Sequence, residues 1–449
     1  MKRLFIGLSA LLGLSTLMSQ QASAQTLQDS VELSLDKVLE IALSDNPDIK
    51  VADKTIQIQK YAKKETITGL FPTVSVSASG VDNVLISTMS MSMGDQVVTV
   101  KMGRPYTYSL SATAALPLVA PQLWKTISLN EEQVQLAVEQ ARASKINTIA
   151  SVKAAYYQLL LARDSYKVLL ASQKTYERNA EDTNNKFNVG SVSEYDKLTA
   201  DVQVASIKPN VLSAENGVKL AEMNLKVLMG VDVNEPMRFT GELKDYEETL
   251  FADLINLKSD TDLSDNTNLR QLDYNERILR MSETINKLGY LPTIALALQG
   301  GWSAYADEFN PFNAPFYGSL SVSLSFSWTL FDGMQKYMKT KQNKLSIENL
   351  DLQRENALRQ LELSVTSSLN NIETAAEQVV SNKENMYAAA RAYNIAEKRY
   401  DVGSGTQLEL ITSETNLLNT QLQYYQSIYD FLSNRATLEQ TLGKVVTDK

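Results

Sequence analysis

The sequence predicts a mainly α-helical, internally duplicated chain that also contributes four strands to a membrane β-barrel. Three observations predict this fold. Residues 122–189 and 334–402 contain neither proline nor glycine, four shorter segments alternate between apolar and small polar residues, and several motifs occur twice in the same order. Alternation with period two is typical of a strand between two different surroundings. Helices of nearly seventy residues are far longer than those of ordinary globular domains.

The first residues are typical of a secretory signal. Lys2 and Arg3 precede an apolar stretch, and Ala22-Ser23-Ala24 is a small-residue cleavage site. We therefore expect residues 1–24 to be removed, leaving residues 25–449. That remainder has no apolar run of about 18 residues, the length a membrane helix needs. The mature chain is expected to be periplasmic or secreted, or to cross a membrane as strands.

The composition excludes several function classes. The chain has no cysteine and no histidine, which excludes disulfides, Ser–His nucleophiles and typical zinc sites. Its formal net charge of −9 argues against nucleic acid as a partner. The sequence contains no Walker A loop, no dinucleotide-binding glycine motif and no nucleophile elbow. An enzyme is therefore the least favoured class, and no cofactor is expected.

Four segments of the first half have counterparts, in the same order, in the second half. The corresponding segments are 46–50 and 266–270, 69–73 and 289–293, 187–191 and 400–404, and 225–230 and 438–443. A fixed order over so many residues predicts an internal duplication. We place the first repeat at about 34–230 and the second at about 266–443. The acidic residues 231–265 between them are interpreted as a collar around the helices.

Four strands are predicted at about 72–88, 104–118, 292–305 and 315–331. In the last, Leu320, Val322, Leu324, Phe326, Trp328 and Leu330 alternate with Ser319, Ser321, Ser323, Ser325, Ser327 and Thr329. A soluble antiparallel sheet would also alternate. The polar rows, however, are small hydroxyls instead of Lys and Glu, and aromatic residues lie towards strand ends. Both features favour a membrane barrel with a water-filled interior.

Four strands cannot close a barrel, and open strand edges in lipid would leave backbone groups unpaired. The chain is therefore expected to oligomerise. Two copies would give eight strands, a barrel filled by its own side chains, whereas three copies would give twelve strands and leave a pore.

The two long helical stretches are each expected to form a hairpin with a returning helix. Heptad positions Leu358, Val365, Ile372, Val379, Met386, Tyr393 and Tyr400 face a returning row of Leu408, Ile411, Thr415, Leu418, Leu422, Tyr425, Tyr429, Leu432 and Ala436. The first half repeats this with Tyr195, Leu198, Val202, Ala205 and Leu212 on its returning helix, where Pro209 predicts a kink. Each hairpin turns at Val-Gly-Ser, where glycine can adopt a left-handed conformation.

Together, these features resemble the TolC family of outer-membrane efflux proteins. The resemblance covers the whole mature chain and depends on the order of the duplicated motifs, including the Asn-Pro-Asp helix near the start, the Gly-x-x-Pro segments before two strands and Leu330-Phe331-Asp332-Gly333. It implies a homotrimer in the bacterial outer membrane that shares a 12-stranded β-barrel and a 12-helix coiled-coil α-barrel reaching into the periplasm. It also implies a periplasmic adaptor (membrane fusion protein) and, through it, an inner-membrane RND or ABC pump.

The resemblance assigns roles to residues at the two hairpin turns. Val189, Gly190, Ser191, Val402, Gly403 and Ser404, here called the tip segments, are expected to contact the adaptor. Asp196 and Glu409, here called the tip acids, lie six residues after each tip glycine and are expected to form a periplasmic gate; the alternative is that they are solvated acids near a turn. A second acid and a basic residue that some members carry are replaced by Thr412 and Gly405.

Two alternatives remain open. A structural coiled-coil surface or stalk protein would also have long helices, but it would not need duplicated strand pairs between them. Met89, Met91 and Met93 could be soft-metal ligands, although an irregular strand or loop tip is the simpler interpretation, and no metal site is predicted.

Overall fold

A computed structural model describes residues 32–94, 96–250, 261–310 and 314–444. The predicted signal peptide, residues 1–24, lies outside these ranges. The elements of the first half are β1 (Glu32–Leu33), α1 (Leu35–Asp45), α2 (Pro47–Thr68), β2 (Thr73–Asp82), β3 (Thr88–Met93), β4 (Gln96–Lys101), β5 (Tyr106–Val119), α3 (Pro121–Asn188) and α4 (Glu194–Met229). Those of the second half are β6 (Arg238–Phe239), a 3-10 helix (Leu243–Thr249), α5 (Thr267–Leu288), β7 (Thr293–Ala306), β8 (Phe316–Ser327), α6 (Gln335–Asp401) and α7 (Gln407–Leu442).

Four strands form one antiparallel sheet in the order β2-β5-β7-β8. The register places apolar residues opposite one another, as in Leu296 with Leu324 and Leu110 with Trp302. The opposite face carries the hydroxyl rows, and the oxygens of Ser77 and Ser111 lie 2.8 Å apart. The alternation therefore separates apolar from hydroxyl residues in β2, β5 and β8, whereas β7 carries mainly Ala295, Ala297 and Gln299 on the second face.

The ends of two predicted strands differ from the expectation. The last strand stops at Ser327, before the predicted 331, because the chain turns away: the Trp328 indole donates to the Tyr290 carbonyl at 2.9 Å, and Gly333 and Met334 both have positive φ. The first strand stops at Asp82 instead of about 88. The chain then forms a separate hairpin of β3 and β4, which places the methionine row on regular strand, not in an irregular loop.

The predicted long helices are confirmed as α3 and α6, of 68 and 67 residues. At about 1.5 Å per residue each is roughly 100 Å long. Within the described ranges, no helix combines the length and the apolar character that crossing a membrane requires. The returning helix α4 continues through Pro209.

The predicted heptad row on α6 is buried at Val365, Ile372, Val379, Tyr393 and Tyr400. The rows on the returning helices are different. On α7 a buried row lies one residue earlier, through Leu410, Glu414, Tyr424, Ile428 and Phe431, and Leu408 is 74% exposed, although Leu432 and Ala436 of the predicted row are buried as expected. On α4, all five predicted residues, Tyr195, Leu198, Val202, Ala205 and Leu212, are exposed, and Ala200, Ile207 and Val211 are buried instead. On α4 the predicted row therefore lies on an exposed face, whereas on α7 it lies beside the buried row and joins the buried core at Leu432 and Ala436.

The main hydrophobic core lies halfway along the helices. It includes Tyr156, Leu159, Ile372 and Phe431, and the collar contributes Phe239 and Leu243. The collar is attached by polar contacts as well: the Arg163 guanidinium donates to the Phe239 carbonyl at 2.6 Å, and Glu247 accepts from Lys383 and Tyr424 at 2.5 and 2.7 Å. Residues 251–260 of the predicted insert lie outside the described ranges.

Each repeat contains the same helix-to-helix junction. The Asn46 side-chain oxygen accepts from the backbone of Asp48 and Ile49 at the start of α2, and its amide donates to the Leu228 carbonyl near the end of α4 at 2.7 Å. Asn266 makes the equivalent bonds between α5 and the Thr441 carbonyl of α7. One asparagine thus pairs free donors of one helix and a free acceptor of another.

A glycine makes each junction possible. Gly230 and Gly443 end α4 and α7 with φ values of +77° and +72°. A Cβ at Gly230 would lie 2.7 Å from the Asp45 carbonyl oxygen, and one at Gly443 would approach the Asp265 carbonyl even more closely. As a result, α4 abuts α2 and α7 abuts α5 end to end.

We predict that Gly443→Ala lowers the free energy of unfolding by about 2 kcal/mol or more. The left-handed backbone alone costs a side chain about 1–2 kcal/mol, and the Cβ would also displace Asp265. The control is Gly217→Ala in α4, where φ is not positive and nothing lies within 4 Å of the added Cβ. It should be neutral or stabilising, by up to about 1 kcal/mol. Denaturant-induced unfolding of the purified protein measures both; equal effects would contradict the role of the junction.

Candidate functional site

The two hairpin turns are built in the same way. The tip glycines Gly190 and Gly403 both have φ of +75°, and the next residue donates its backbone N–H to a carbonyl of the preceding helix, Ser191 to Lys186 and Ser404 to Arg399, at 2.8 Å in both. The two valines of the tip segments are 77% and 78% exposed. Both turns therefore present a rigid backbone loop with an exposed apolar side chain.

The tip acids occupy the third position of α4 and α7, where a negative charge is favoured by the helix dipole. Asp196 is part of a capping box: its carboxylate accepts from the Ser193 N–H at 3.2 Å and from the Ser193 hydroxyl at 2.7 Å, and its own N–H donates to that hydroxyl. Glu409 donates its N–H to the Thr406 hydroxyl at 3.2 Å. The structure thus gives both acids a local role, and no described hydrogen bond or ion pair joins them within one chain.

The two tip acids differ in their charged neighbours. A Glu409 carboxylate oxygen lies 3.5 Å from the guanidinium of Arg399, which also donates to the Ser404 carbonyl at 3.2 Å. Asp196 forms no ion pair with another described residue. The second tip therefore holds a cation beside its acid, and the sequence reasoning did not identify it.

The glycine at position 405 has a structural reason. Its N–H donates to the Arg399 carbonyl at 2.9 Å, and a Cβ there would lie 3.0 Å from the Tyr400 nitrogen and 3.1 Å from the Arg399 carbonyl carbon. The turn packs so closely against the end of α6 that a basic side chain at this position would push it away.

Three contacts connect the two hairpins close to the tips. The hydroxyls of Thr183 and Tyr400 lie 3.1 Å apart, the Lys186 ammonium lies 4.1 Å from the centre of the Tyr400 ring, and Arg178 pairs with Glu397 at 2.6 Å. Burial raises the pKa of Tyr400, so its hydroxyl remains protonated. These residues join α3 to α6 close to the tips, and none of the three contacts involves α7.

A strongly perturbed acid close to the tips is Glu414, which the sequence reasoning missed. Its side chain is 4% exposed and sits on α7 against α3, where the Asn179 amide donates to one carboxylate oxygen at 3.2 Å. Burial raises the pKa of Glu414 to about 8. The signal that could have found it is the row on α7 spaced by three and four, in which an acid lies between Leu410 and Leu417.

At the opposite end of the molecule, the hairpin of β3 and β4 is amphipathic. Met89 pairs with Val100 and Met91 with Val98, so that one face is apolar. Arg104 and Asp307 form an ion pair where β5 and β7 end. Among the described residues, no three or more carboxylates lie close enough together to hold a metal ion.

Comparison with known proteins gives one consistent result. The profile of the outer membrane efflux protein family matches the chain twice, at residues 38–231 and 261–444. Outer membrane protein TolC of Escherichia coli K12 is 23% identical over 341 residues, which span 71% of this chain and 66%, just under two thirds, of TolC. The probable efflux pump outer membrane protein TtgC of Pseudomonas putida KT2440 is 24% identical over 429 residues, spanning 91% of this chain and 83% of TtgC.

A solved structure agrees with these matches. The CmeC outer membrane channel of Campylobacter jejuni superposes with a TM-score of 0.71 at 16% identity, covering 91% of this chain and 85% of CmeC. At that identity the likeness concerns the fold. The architecture of long helices and a small sheet is therefore shared with a channel protein.

Proposed function

The chain belongs to the outer membrane efflux protein family, and from this premise we propose that three copies form the exit duct of a tripartite efflux or type I secretion system. Its location is the outer membrane, as in the relatives. Family membership confirms the resemblance inferred from the sequence. The relatives carry the names of channels and efflux proteins, not of enzymes. One observation carries the proposal: the outer strands β2 and β8 have an unpaired edge, and the outer helices α2 and α6 lie on the same two sides of the chain.

The open edges of the sheet are β2 and β8. Each of these two strands pairs with a neighbour on one side only among the described residues. Every residue of both strands is also exposed in the single chain. Three antiparallel pairings make β2 and β8 run in opposite directions. The β8 of one copy can therefore pair with the β2 of the next in the same antiparallel manner. Three copies close a barrel of twelve strands, and its interior is wide enough for a pore.

The helices repeat the order of the sheet. α2 leads into β2, β5 into α3, α5 into β7 and β8 into α6, and neighbouring helices pack in the order α2-α3-α5-α6. The outermost helices carry exposed apolar residues, Val51, Ile58 and Tyr61 on α2 and Leu345 and Leu352 on α6. The exposed row of α4 lies on the same edge as α2. In a trimer these faces meet and are removed from water.

The two faces of the sheet fit a membrane duct. Phe326, Leu324, Val322 and Leu320 are between 61% and 75% exposed, an apolar surface that water would not favour and lipid would. The hydroxyl face then lines the interior. The alternative of a structural stalk protein leaves this exposed apolar sheet without a role.

The tip segments are proposed as the contact with a periplasmic adaptor, which connects the duct to an inner-membrane RND or ABC pump. The tips are the ends of the helices furthest from the sheet, and both expose a valine on a rigid turn. The tip acids are proposed as a constriction at this mouth, where three-fold symmetry gathers six carboxylates. Arg399 lies beside Glu409 and moderates the negative field there.

We predict that Leu324→Arg prevents stable trimers, because a basic side chain facing the middle of the bilayer costs about 2–4 kcal/mol in a barrel. Ser323→Arg is the matched control on the neighbouring residue of the same strand, and it should be tolerated because it faces the interior. Native mass spectrometry in detergent and heat-sensitive gel mobility measure the trimer. Equal tolerance of the two changes, or a wild-type monomer with a closed barrel, would contradict the proposal.

We predict that Gly403→Trp abolishes export of a fluorescent substrate while trimers remain intact, because the bulky side chain blocks adaptor docking. Gly94→Trp is the control. Gly94 also has a positive φ, +64°, and nothing lies within 4 Å of its added Cβ, but it lies at the opposite end of the molecule. Normal export by Gly403→Trp, or loss of its trimer, would count against adaptor contact at the tips.

We predict that Asp196→Asn with Glu409→Gln weakens block by a trivalent cation added on the periplasmic side of a planar bilayer. The amides can keep the cap hydrogen bonds but remove six charges per trimer, so the blocking concentration should rise roughly tenfold or more. Arg399→Gln should lower it, because it removes the cation beside Glu409. Unchanged block in both variants would show that the tip acids are ordinary surface acids.

A further inference from the structure

The acid at the buried end of the second hairpin has a duplicated counterpart in a different environment. Glu414 and Asp201 each lie eleven residues after a tip glycine, at the same position of their repeats. Asp201 is exposed on α4, whereas Glu414 is 4% exposed on α7. Equivalent positions of the two repeats therefore differ: Asp201 faces water, whereas Glu414 is buried between helices.

The hydrogen bonds of Glu414 are incomplete. Asn179 on α3 donates to Oε2 at 3.2 Å, while the buried Oε1 has no hydrogen-bond partner in the described part of the chain. One heptad earlier on the same face of α7, the buried Oε1 of Gln407 is also without a partner there. A buried carboxylate with one hydrogen bond is unfavourable when it is charged.

The charged and titratable groups around Glu414 do not neutralise it. From α3, Arg178 is the nearby cation, but its guanidinium is already paired with Glu397 of α6 at 2.6 Å. Tyr176 of α3 and Tyr393 of α6 are the other titratable neighbours, and burial raises the pKa of both, so they stay neutral. α4 contributes the uncharged Gln203, which interacts with Tyr176.

Desolvation is the largest influence on Glu414. It raises the pKa to about 8, against smaller lowering effects from Asn179 and Arg178 and a further raising effect from Glu397. The side chain is therefore neutral over most of the range in which the periplasmic face of the protein operates.

The packing around Glu414 is thin. The buried residues of the clusters near the tips are Tyr176, Ile207 and Val211 in one case and Tyr393, Tyr400 and Leu410 in the other, with half-buried neighbours such as Leu417 and Leu418. The core at the collar is much larger and continuous across α3, α6 and α7. Segments with few buried apolar contacts open at the lowest free-energy cost. An added charge at this place acts on the part of the helices that is least firmly held.

We propose that Glu414 is a proton-controlled latch: neutral Glu414 keeps α7 packed against α3 and α6 near the tips, and its ionisation releases this end of α7. The inference rests on the proposed duct, since release would move Glu409 and the second tip segment, which lie on or beside the first turns of α7. The latch would make the opening of the periplasmic entrance depend on periplasmic pH.

The direction follows from proton binding. In the released state Glu414 is in water, where a glutamate has a pKa of about 4.3; in the packed state the pKa is about 8. Between these values the packed state holds a proton that the released state does not. Acid therefore favours packing, and each rise of one pH unit in this window shifts the equilibrium towards release by up to about tenfold per chain.

Two spectroscopic measurements on purified trimers test the latch. Infrared spectroscopy should detect a protonated carboxyl at pH 7 that is lost with a midpoint near pH 8 and is absent from Glu414→Gln. The chain has no cysteine, so spin labels at Asn185→Cys and Thr412→Cys, both exposed, report the distance between α3 and α7. That distance should be narrow at pH 6 and broad at pH 9, but narrow at both pH values in Glu414→Gln.

Asp201→Asn is the matched control, and it should follow wild type in both measurements. A protonated-carboxyl band that survives Glu414→Gln, or broadening that persists in that variant, overturns the latch. If Glu414→Gln does not assemble, wild type still decides: the loss of the band and the broadening must share one midpoint, and different midpoints overturn the proposal. Neither measurement requires transport, so a failure of the duct proposal is recognised separately, by absence of conductance in bilayers.

Discussion

The architecture depends on the junction that each repeat builds from one asparagine and one glycine. Asn46 and Asn266 bond at the same time to the start of one helix and to the end of another, and Gly230 and Gly443 allow the backbones to approach. The negative end of one helix dipole meets the positive end of the next, which is favourable. Two pairs of shorter helices are thereby joined end to end, α4 with α2 and α7 with α5, so that they span the same length as the single helices α3 and α6.

The junctions convert six helices into four parallel columns, in the order α2/α4, α3, α5/α7 and α6. This is also the order of the four strands, since each column continues into one strand. Sheet and helices therefore end at the same two edges. One chain has only four strands in this sheet, too few to close a barrel by itself. Backbone groups at the sheet edges cost several kcal/mol each when they face lipid unpaired. In the proposed trimer, a single association pairs β2 with β8 and covers the exposed apolar rows of α2, α4 and α6.

Much of this could be predicted from the sequence because it depends on periodicity. The alternation in β8 determines which residues share a face, and the absence of proline and glycine from residues 122–189 and 334–402 allows α3 and α6 their length. The packing face of the returning helices could not be predicted, because α4 and α7 carry apolar residues on two sides, one for their own chain and one exposed. Leu198 and Leu408 belong to exposed rows, and heptad spacing alone does not distinguish them from the buried Ile207 and Leu410.

The same ambiguity explains why the site was only partly predicted. The positions of the tip acids follow from their distance to the tip glycines, but the capping role of Asp196 and the cation beside Glu409 depend on side-chain directions at the turns. Glu414 was missed because shifting the row on α7 by one residue moves it from an outer face to the centre of the packing.

The two duplicated halves differ in the surroundings of the acidic residues near their tips. At the first tip, Asp196 completes a self-contained capping box and the following acid, Asp201, is in water. At the second tip, Glu409 depends on Arg399 of the preceding helix, Gly405 is packed against the end of α6, and Glu414 is buried with one unpaired oxygen. The two turns therefore have the same backbone conformation, but their acidic side chains differ in burial and in charged neighbours. In the proposed latch, the second hairpin is therefore the one that responds to pH near its tip, because the buried acid lies on α7 while its counterpart Asp201 on α4 is in water.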